Sequence, residues 1–511
     1  MSAMARGVLI ALLLVVASDV AKARKVSTKT TKLDAARFEV DDVFSPLQAE
    51  LLKLAGLREV EYEFPNDAKM RSLARNASPE IAKVAGSASS ENDRVGADNL
   101  DSEDPAFQGK YPVIFIPGLM GSQLQVKLSD RKDPPNWLCR RTNEEWSRVW
   151  MIDRLHMVGE RPSYLPPDTT KLPELVNCWE QDVMVRWNAT SKTLGPASEG
   201  IESRALPGWD GAMSLGPDNP TLQPIADWMT STFGYKQGVD VVAQPYDWRA
   251  GPETWMKPGG VFDEMKALIE HTVDSRPGKE PIVASSISLG GPFFSLFLNR
   301  HVTQEWKDRY IHCFFSISGV MSGSVIAPYV YISGTKFGPG VPSWLKSPLD
   351  ALAKSVSSVP WVFPHEDAFG KTPVVRTSAR NYTASELGEA LLAAGNHQQA
   401  ALYQENVDSY GLEGLVPNVT TYCLTGFGVP TFGSLNYGDE DLKSGNLPKN
   451  IDMTDGDNCV TTESLRICDA FGLHQKAPVF PYHVFNQTHA GMMGDVQTIT
   501  LFAEVITGPH P

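Results

Sequence analysis

From Tyr111 onward the chain alternates short apolar runs with longer stretches of helical periodicity. Pro112-Val113-Ile114-Phe115-Ile116 is continuous in apolar residues and closed by Pro117-Gly118, the pattern of a strand buried on both faces. Val241–Ala243, Ile282–Ala284, Cys313–Ile317 and Thr421–Leu424 repeat it, each ending in turn residues. Helix-length patterns lie between several of them, among them Val261–Val273 and Phe293–Leu298. Strands alternating with helices predict an α/β architecture, a mostly parallel sheet with helices on both faces. Two stretches break the rhythm and read as insertions forming a cap over the sheet. Residues 131–200 carry Trp137, Trp146, Trp150, Trp179 and Trp187 among several prolines. Residues 320–415 run through Gly, Pro and Ser before a helical Ala384–Ala394. Tryptophan ordinarily belongs to the core; an exposed subset would suit a lipid interface.

The first 108 residues have another character. Arg6, the apolar run Val8–Ala17 and Ala21-Lys22-Ala23 follow the order of a signal peptide over residues 1–23, with a run too short to span a bilayer. The competing reading is a buried N-terminal helix. Residues 24–108 form an N-terminal extension. In it Ser45-Pro46 and Gln48 open a helix, Leu47, Leu51 and Leu54 share one face, and Gly56 ends it. Residues 86–104, rich in Ser, Gly, Asn and acids, read as a linker or flexible loop. A docked helix is a simpler account of the extension than a propeptide. Residues 109–511 are then the α/β unit. The expected location is the secretory pathway, either secreted or in a lysosome-like or vacuole-like lumen.

A net charge of −14 without Lys/Arg clusters excludes nucleic acid as a partner and leaves apolar contact as the main means of meeting a membrane. Six cysteines (Cys139, Cys178, Cys313, Cys423, Cys459 and Cys468) allow about 15 full pairings, and their wide spacing does not resemble a metal cluster. Sequons at Asn76, Asn188, Asn381, Asn418 and Asn486 are glycosylation candidates in a secretory chain.

The chemistry centres on Ser286-Ile287-Ser288-Leu289-Gly290-Gly291, which follows a predicted strand and precedes a predicted helix. A strand-to-helix elbow strains its nucleophile, so the residues two before and two after must be small. Ser286 and Gly290 meet that need around Ser288, although the pattern departs from G-x-S-x-G at its first position. Such an elbow needs oxyanion donors. The Leu289 N–H supplies one, and the Leu119 N–H in Pro117-Gly118-Leu119-Met120-Gly121 could supply the other. An acid and a base should follow in that order. Asp455 and Asp457 stand in one turn, and His474, His483 and His489 are all C-terminal. Spacing leaves both choices open.

In order along the chain stand Pro112–Leu124, Asn177-Cys178-Trp179, Pro245-Tyr246-Asp247-Trp248-Arg249, the elbow, Pro360-Trp361-Val362-Phe363-Pro364, Gly426–Pro430, Asp455-Gly456-Asp457 and His489. In these strings the chain resembles the lecithin–cholesterol acyltransferase family from about Tyr111 to its end. The resemblance implies an α/β-hydrolase fold with Ser288 as nucleophile, Asp457 as acid and His489 as base. It implies disulfides Cys139–Cys178, pinning a membrane-contacting insertion, and Cys423–Cys468, leaving Cys313 and Cys459 as thiols. It further implies acyl transfer from a phospholipid to water, a sterol or another lipid alcohol, at a transiently contacted membrane or lipid-particle surface, with neither metal nor cofactor. Three departures stand out: Ile287 replaces a histidine, Cys459 replaces a threonine, and Gly319–Gly323 lacks a tryptophan-containing string. A lipid-binding protein that has lost its chemistry is the alternative from another class. A serine peptidase or small-ester hydrolase would lack the lipid-interface insertion.

Overall fold

The computed structural model describes residues 109–508 apart from 144, 151–171, 189, 192, 214–221, 335–342 and 408–409. The signal-peptide reading, the N-terminal extension and the Asn76 sequon lie outside the described residues. The centre is a six-stranded sheet, parallel throughout, made of β1 (Val113–Ile116), β2 (Val241–Ala243), β3 (Ile282–Ile287), β4 (Ile311–Ile317), β5 (Thr421–Phe427) and β6 (Val479–Phe485) in the spatial order β2-β1-β3-β4-β5-β6. Each of the five short strand-like runs from Pro112 to Leu424 is one of these strands, three of them extended by a few residues. The sixth, Val479–Phe485, does not read as an apolar run because Pro481 and His483 interrupt its pattern. An edge strand tolerates that proline, since one side of it needs no ladder bond.

Alternation along the strands divides the core. Ile114, Ile116, Ala284 and Phe314 face one layer, while Val113, Phe115, Val283, Cys313 and Phe315 face the other. On the second face pack α1 (Gln223–Phe233) and, at the end of the chain, α5 (Val496–Thr507). On the first pack α2 (Val261–Asp274) and α3 (Gly290–Arg300). α3 is buried along nearly its whole length, which explains why Phe293, Phe294, Leu296, Phe297 and Leu298 leave it no polar face. α4 (Ile467–His474) leads into β6. This is the α/β-hydrolase arrangement. The order reverses at β1 and β3, the topological switch where open α/β sheets bind ligands beyond the strand ends.

The two insertions contain more regular structure than composition suggested. Leu124–Leu128, Ser147–Trp150 and Ile201–Ala205 form a small antiparallel sheet. Pro373–Arg376 and Asn381–Thr383 join Val429–Asn436 and Asn450–Gly456 in a four-stranded mixed sheet. The segment Ala384–Ala394 starts as a 3-10 turn with a Thr383–Glu386 capping box and becomes an α-helix over Leu387–Ala393. Disulfides join Cys139 to Cys178, within the first insertion, and Cys423 of β5 to Cys468 of α4. Cys313 and Cys459 carry free thiols. The first disulfide closes a loop with a separation of 39 residues. Changing both its cysteines to alanine should therefore cost about 2–4 kcal/mol, seen as an earlier denaturant midpoint with the Ser288 region still folded.

Candidate active site

β3 ends at Ile287 and α3 begins at Gly290, so Ser288 sits in the turn between them with φ 56°, a left-handed conformation that costs a non-glycine residue of order 1 kcal/mol. Its N–H donates to the Ile317 carbonyl (3.0 Å), and its carbonyl accepts from the Gly291 N–H (2.9 Å). The small neighbours are needed sterically. A Cβ at Gly290 would lie 2.6 Å from the Ile116 carbonyl oxygen, and one at Gly291 would lie 2.9 Å from the Gly319 Cα. Ser286 is buried in register with Ser316 of β4. Ser288 itself is half-buried at the N-terminus of an 11-residue helix, whose partial positive charge favours an oxyanion there.

The loop after β1 comes up to this serine: a Cβ at Gly118 would be 3.0 Å from the Ser288 Cβ. It turns sharply, with the Gly121 N–H donating to the Gly118 carbonyl (3.0 Å) and Met120 at φ 62°. Among the described residues neither the Leu119 nor the Leu289 N–H meets an acceptor. Three aromatic donors pin the loop's carbonyls. The Tyr246 hydroxyl donates to Pro117 (2.9 Å), the Trp150 indole to Met120 (3.0 Å) and the Trp248 indole to Ser122 (3.1 Å). The Ser122 hydroxyl in turn accepts the Tyr246 N–H (3.1 Å). These contacts span 30 to 129 residues of sequence, so no local pattern announced them. They give the Pro245–Arg249 string a physical task. Within the same string Arg249 bonds Asp247 at 2.6 Å and the Val183 carbonyl at 2.8 Å, anchoring it to the first insertion.

Asp457 follows the strand Asn450–Gly456 and is fully buried. One carboxylate oxygen accepts the N–H groups of Cys459 (3.0 Å) and Val460 (2.8 Å); the other accepts His489 Nδ1 at 2.7 Å. The His489 N–H also donates to the Asp457 carbonyl (2.7 Å). With its proton on Nδ1, the imidazole presents Nε2 as an acceptor. That atom is buried and has no partner among the described residues. The rival side chains are otherwise engaged. Asp455 is exposed and caps the Gly428 N–H (2.8 Å) and the Thr462 hydroxyl (2.5 Å). His483 spends Nδ1 on Thr425 (2.7 Å) and Nε2 on Asp469 (3.0 Å), and His474 is exposed on α4. A buried Asp–His pair with a free Nε2, at the same end of the sheet as a strained serine, can run proton-coupled acyl chemistry.

A family model for lecithin:cholesterol acyltransferase matches residues 167–412. A bovine protein named "Lysosomal phospholipase A and acyltransferase" is 28% identical over 423 residues, 80% of this chain and 94% of that one. A "Phosphatidylcholine-sterol acyltransferase" of Papio anubis is 30% identical over 409 residues, 78% and 85% of the two chains. The chain belongs to the lecithin:cholesterol acyltransferase family. As a member of it, the protein absorbs its unusual positions without disturbing the pair. Cys459 serves Asp457 through a main-chain N–H, which threonine would offer equally, and burial beside that carboxylate pushes its thiol above the usual range. Ile287 is buried. Where the tryptophan string is missing, the Tyr410 hydroxyl clamps the loop by donating to the Val320 carbonyl and accepting the Gly323 N–H (2.8 Å).

Of the insertion tryptophans, Trp150, Trp179 and Trp187 are buried, Trp146 lies under Arg204 at 4.0 Å, and Trp137 is 80% exposed. Of the sequon asparagines, Asn188, Asn381 and Asn486 are exposed, whereas the Asn418 amide is half-buried and turned onto the Val416 carbonyl. A cavity of about 600 Å³ lies along β2, lined by Arg204, Trp209, Tyr246, Asp247, Trp255 and Glu264 among others. Its lining residues Tyr246 and Trp255 both pack against Phe293 of α3, and it contains none of Ser288, Asp457 or His489.

Proposed function

We propose that the protein transfers acyl chains from phospholipid esters through an acyl-Ser288 intermediate. His489 takes the Ser288 hydroxyl proton as the oxygen attacks the ester carbonyl, and Asp457 holds the imidazole in its working tautomer. The Leu119 and Leu289 N–H groups receive the developing oxyanion, one such donor being worth about 3 kcal/mol. The tetrahedral species collapses, His489 returns the proton to the departing lysophospholipid oxygen, and the acyl-enzyme remains. Water or a lipid alcohol then gives its proton to His489 and attacks the acyl carbon, and as the second tetrahedral species collapses His489 returns that proton to the departing Ser288 oxygen. The observation that carries this reading is the buried Asp457–His489 pair with its open Nε2. The relatives' names support phospholipid as donor. Exposed Trp137, beside Cys139 in the first insertion, supports transient apolar contact with a lipid surface. Two disulfides fit an oxidising lumen of the secretory pathway.

Product analysis on phosphatidylcholine vesicles, with and without sterol, tests the proposal. Release of fatty acid, with or without sterol ester, is expected; no acyl product from either would overturn it and favour a lipid-binding protein. Tyr246→Phe supplies a finer test. It removes the hydroxyl on Pro117 but keeps the ring stacked on Phe293 at 4.0 Å. A drop in kcat of about tenfold is expected from a slackened oxyanion loop. An unchanged kcat would mean that the loop holds itself.

A further inference from the structure

Ser318 directly follows β4, is wholly buried, and stands at φ 48°, where glycine would rest without strain. Its main chain is stitched into the sheet end, the N–H donating to the Leu424 carbonyl at 2.7 Å. The residue before it, Ile317, accepts the Ser288 N–H at 3.0 Å. The Ser318 hydroxyl donates to the main-chain carbonyl of His489, also at 3.0 Å. One dipeptide, Ile317-Ser318, therefore holds the main chains of both the elbow serine and the histidine. The His489 ring has one hydrogen-bond partner among the described residues, Asp457 through Nδ1, so its placement depends on where its backbone is fixed.

We propose that Ser318 is a positioning residue for acyl transfer, its hydroxyl fixing the His489 carbonyl and thereby the imidazole's place relative to Ser288. This rests on the reading of Ser288 and His489 as nucleophile and base. A bond to the carbonyl leaves the proton chemistry of the ring alone and acts on geometry only. Its loss should slow turnover without weakening substrate capture.

Two variants separate this role from a structural one. Ser318→Ala loses the hydroxyl and keeps a strained Cβ; Ser318→Gly loses the hydroxyl and the strain together. In initial-rate measurements on phosphatidylcholine vesicles, both should show kcat lowered about tenfold with KM within about twofold of the wild type. Thermal melting should place Ser318→Gly at or above the wild type and Ser318→Ala below it. Wild-type kcat in Ser318→Gly would overturn the proposal. So would a kcat that follows melting temperature, low in the alanine variant and restored in the glycine variant. Ser288→Ala run alongside distinguishes the two levels. If it is dead while Ser318→Gly turns over normally, only the positioning role fails; if it retains turnover, the nucleophile reading fails and this inference with it.

Discussion

Ser288→Ala is expected to lower acyl release from phosphatidylcholine vesicles by on the order of 10⁴-fold or more. The change deletes a single oxygen. Ser288 is held by its main chain to Ile317 and Gly291, and an alanine keeps the Cβ that the elbow already accommodates at φ 56°. Folding should survive, and the melting temperature should stay within a few degrees. Any residual rate would come from the oxyanion donors and from binding, acting on a directly attacking water. The same variant should lose labelling by a serine-reactive fluorophosphonate, and in the wild type the adduct should map to the peptide containing Ser288. An adduct elsewhere, or turnover within tenfold of the wild type, would sink the assignment.

Asp457→Asn should reduce kcat by on the order of 10⁴-fold with nearly unchanged volume. The Cys459 and Val460 N–H groups both point at one side-chain oxygen, so an asparagine would leave its carbonyl oxygen there. Its NH₂ would then face His489 Nδ1. Two donors cannot share that contact, so the imidazole would move its proton to Nε2, the atom that must accept from Ser288. Base function would be lost through the wrong tautomer while the architecture remained. Turnover falling less than tenfold in a well-folded Asp457→Asn protein would show that the pair is structural. The parallel change Asp455→Asn, at an exposed position near the end of the strand Asn450–Gly456, should alter kcat little.

Five of the six central strands and the elbow were legible because burial on both faces demands unbroken apolar runs, and because the Ser288 turn demands small residues at 286 and 290. The edge strand Val479–Phe485 was hidden by Pro481, which only an edge tolerates. The strands Pro373–Arg376 and Asn381–Thr383 are too short for a period to emerge. Choosing between Asp455 and Asp457, or among three histidines, depends on which carboxylate is buried and which ring nitrogen is left free. These are properties of tertiary contact that spacing does not encode. The aromatic pins on the Pro117–Ser122 loop and the left-handed Ser318 belong to the same category.

The Cys423–Cys468 bridge bears on how the protein can be produced. It ties β5 to α4, the helix that leads into β6, and β6 leads in turn to the His489 segment. In a reducing bacterial cytosol that tie would be missing, and the segment from β5 to the end of α5 would have to find its register by packing alone. Material made there would be a poor guide to native turnover. Expression through a periplasmic or eukaryotic export route, or oxidative refolding, is the form in which the histidine's placement should be judged.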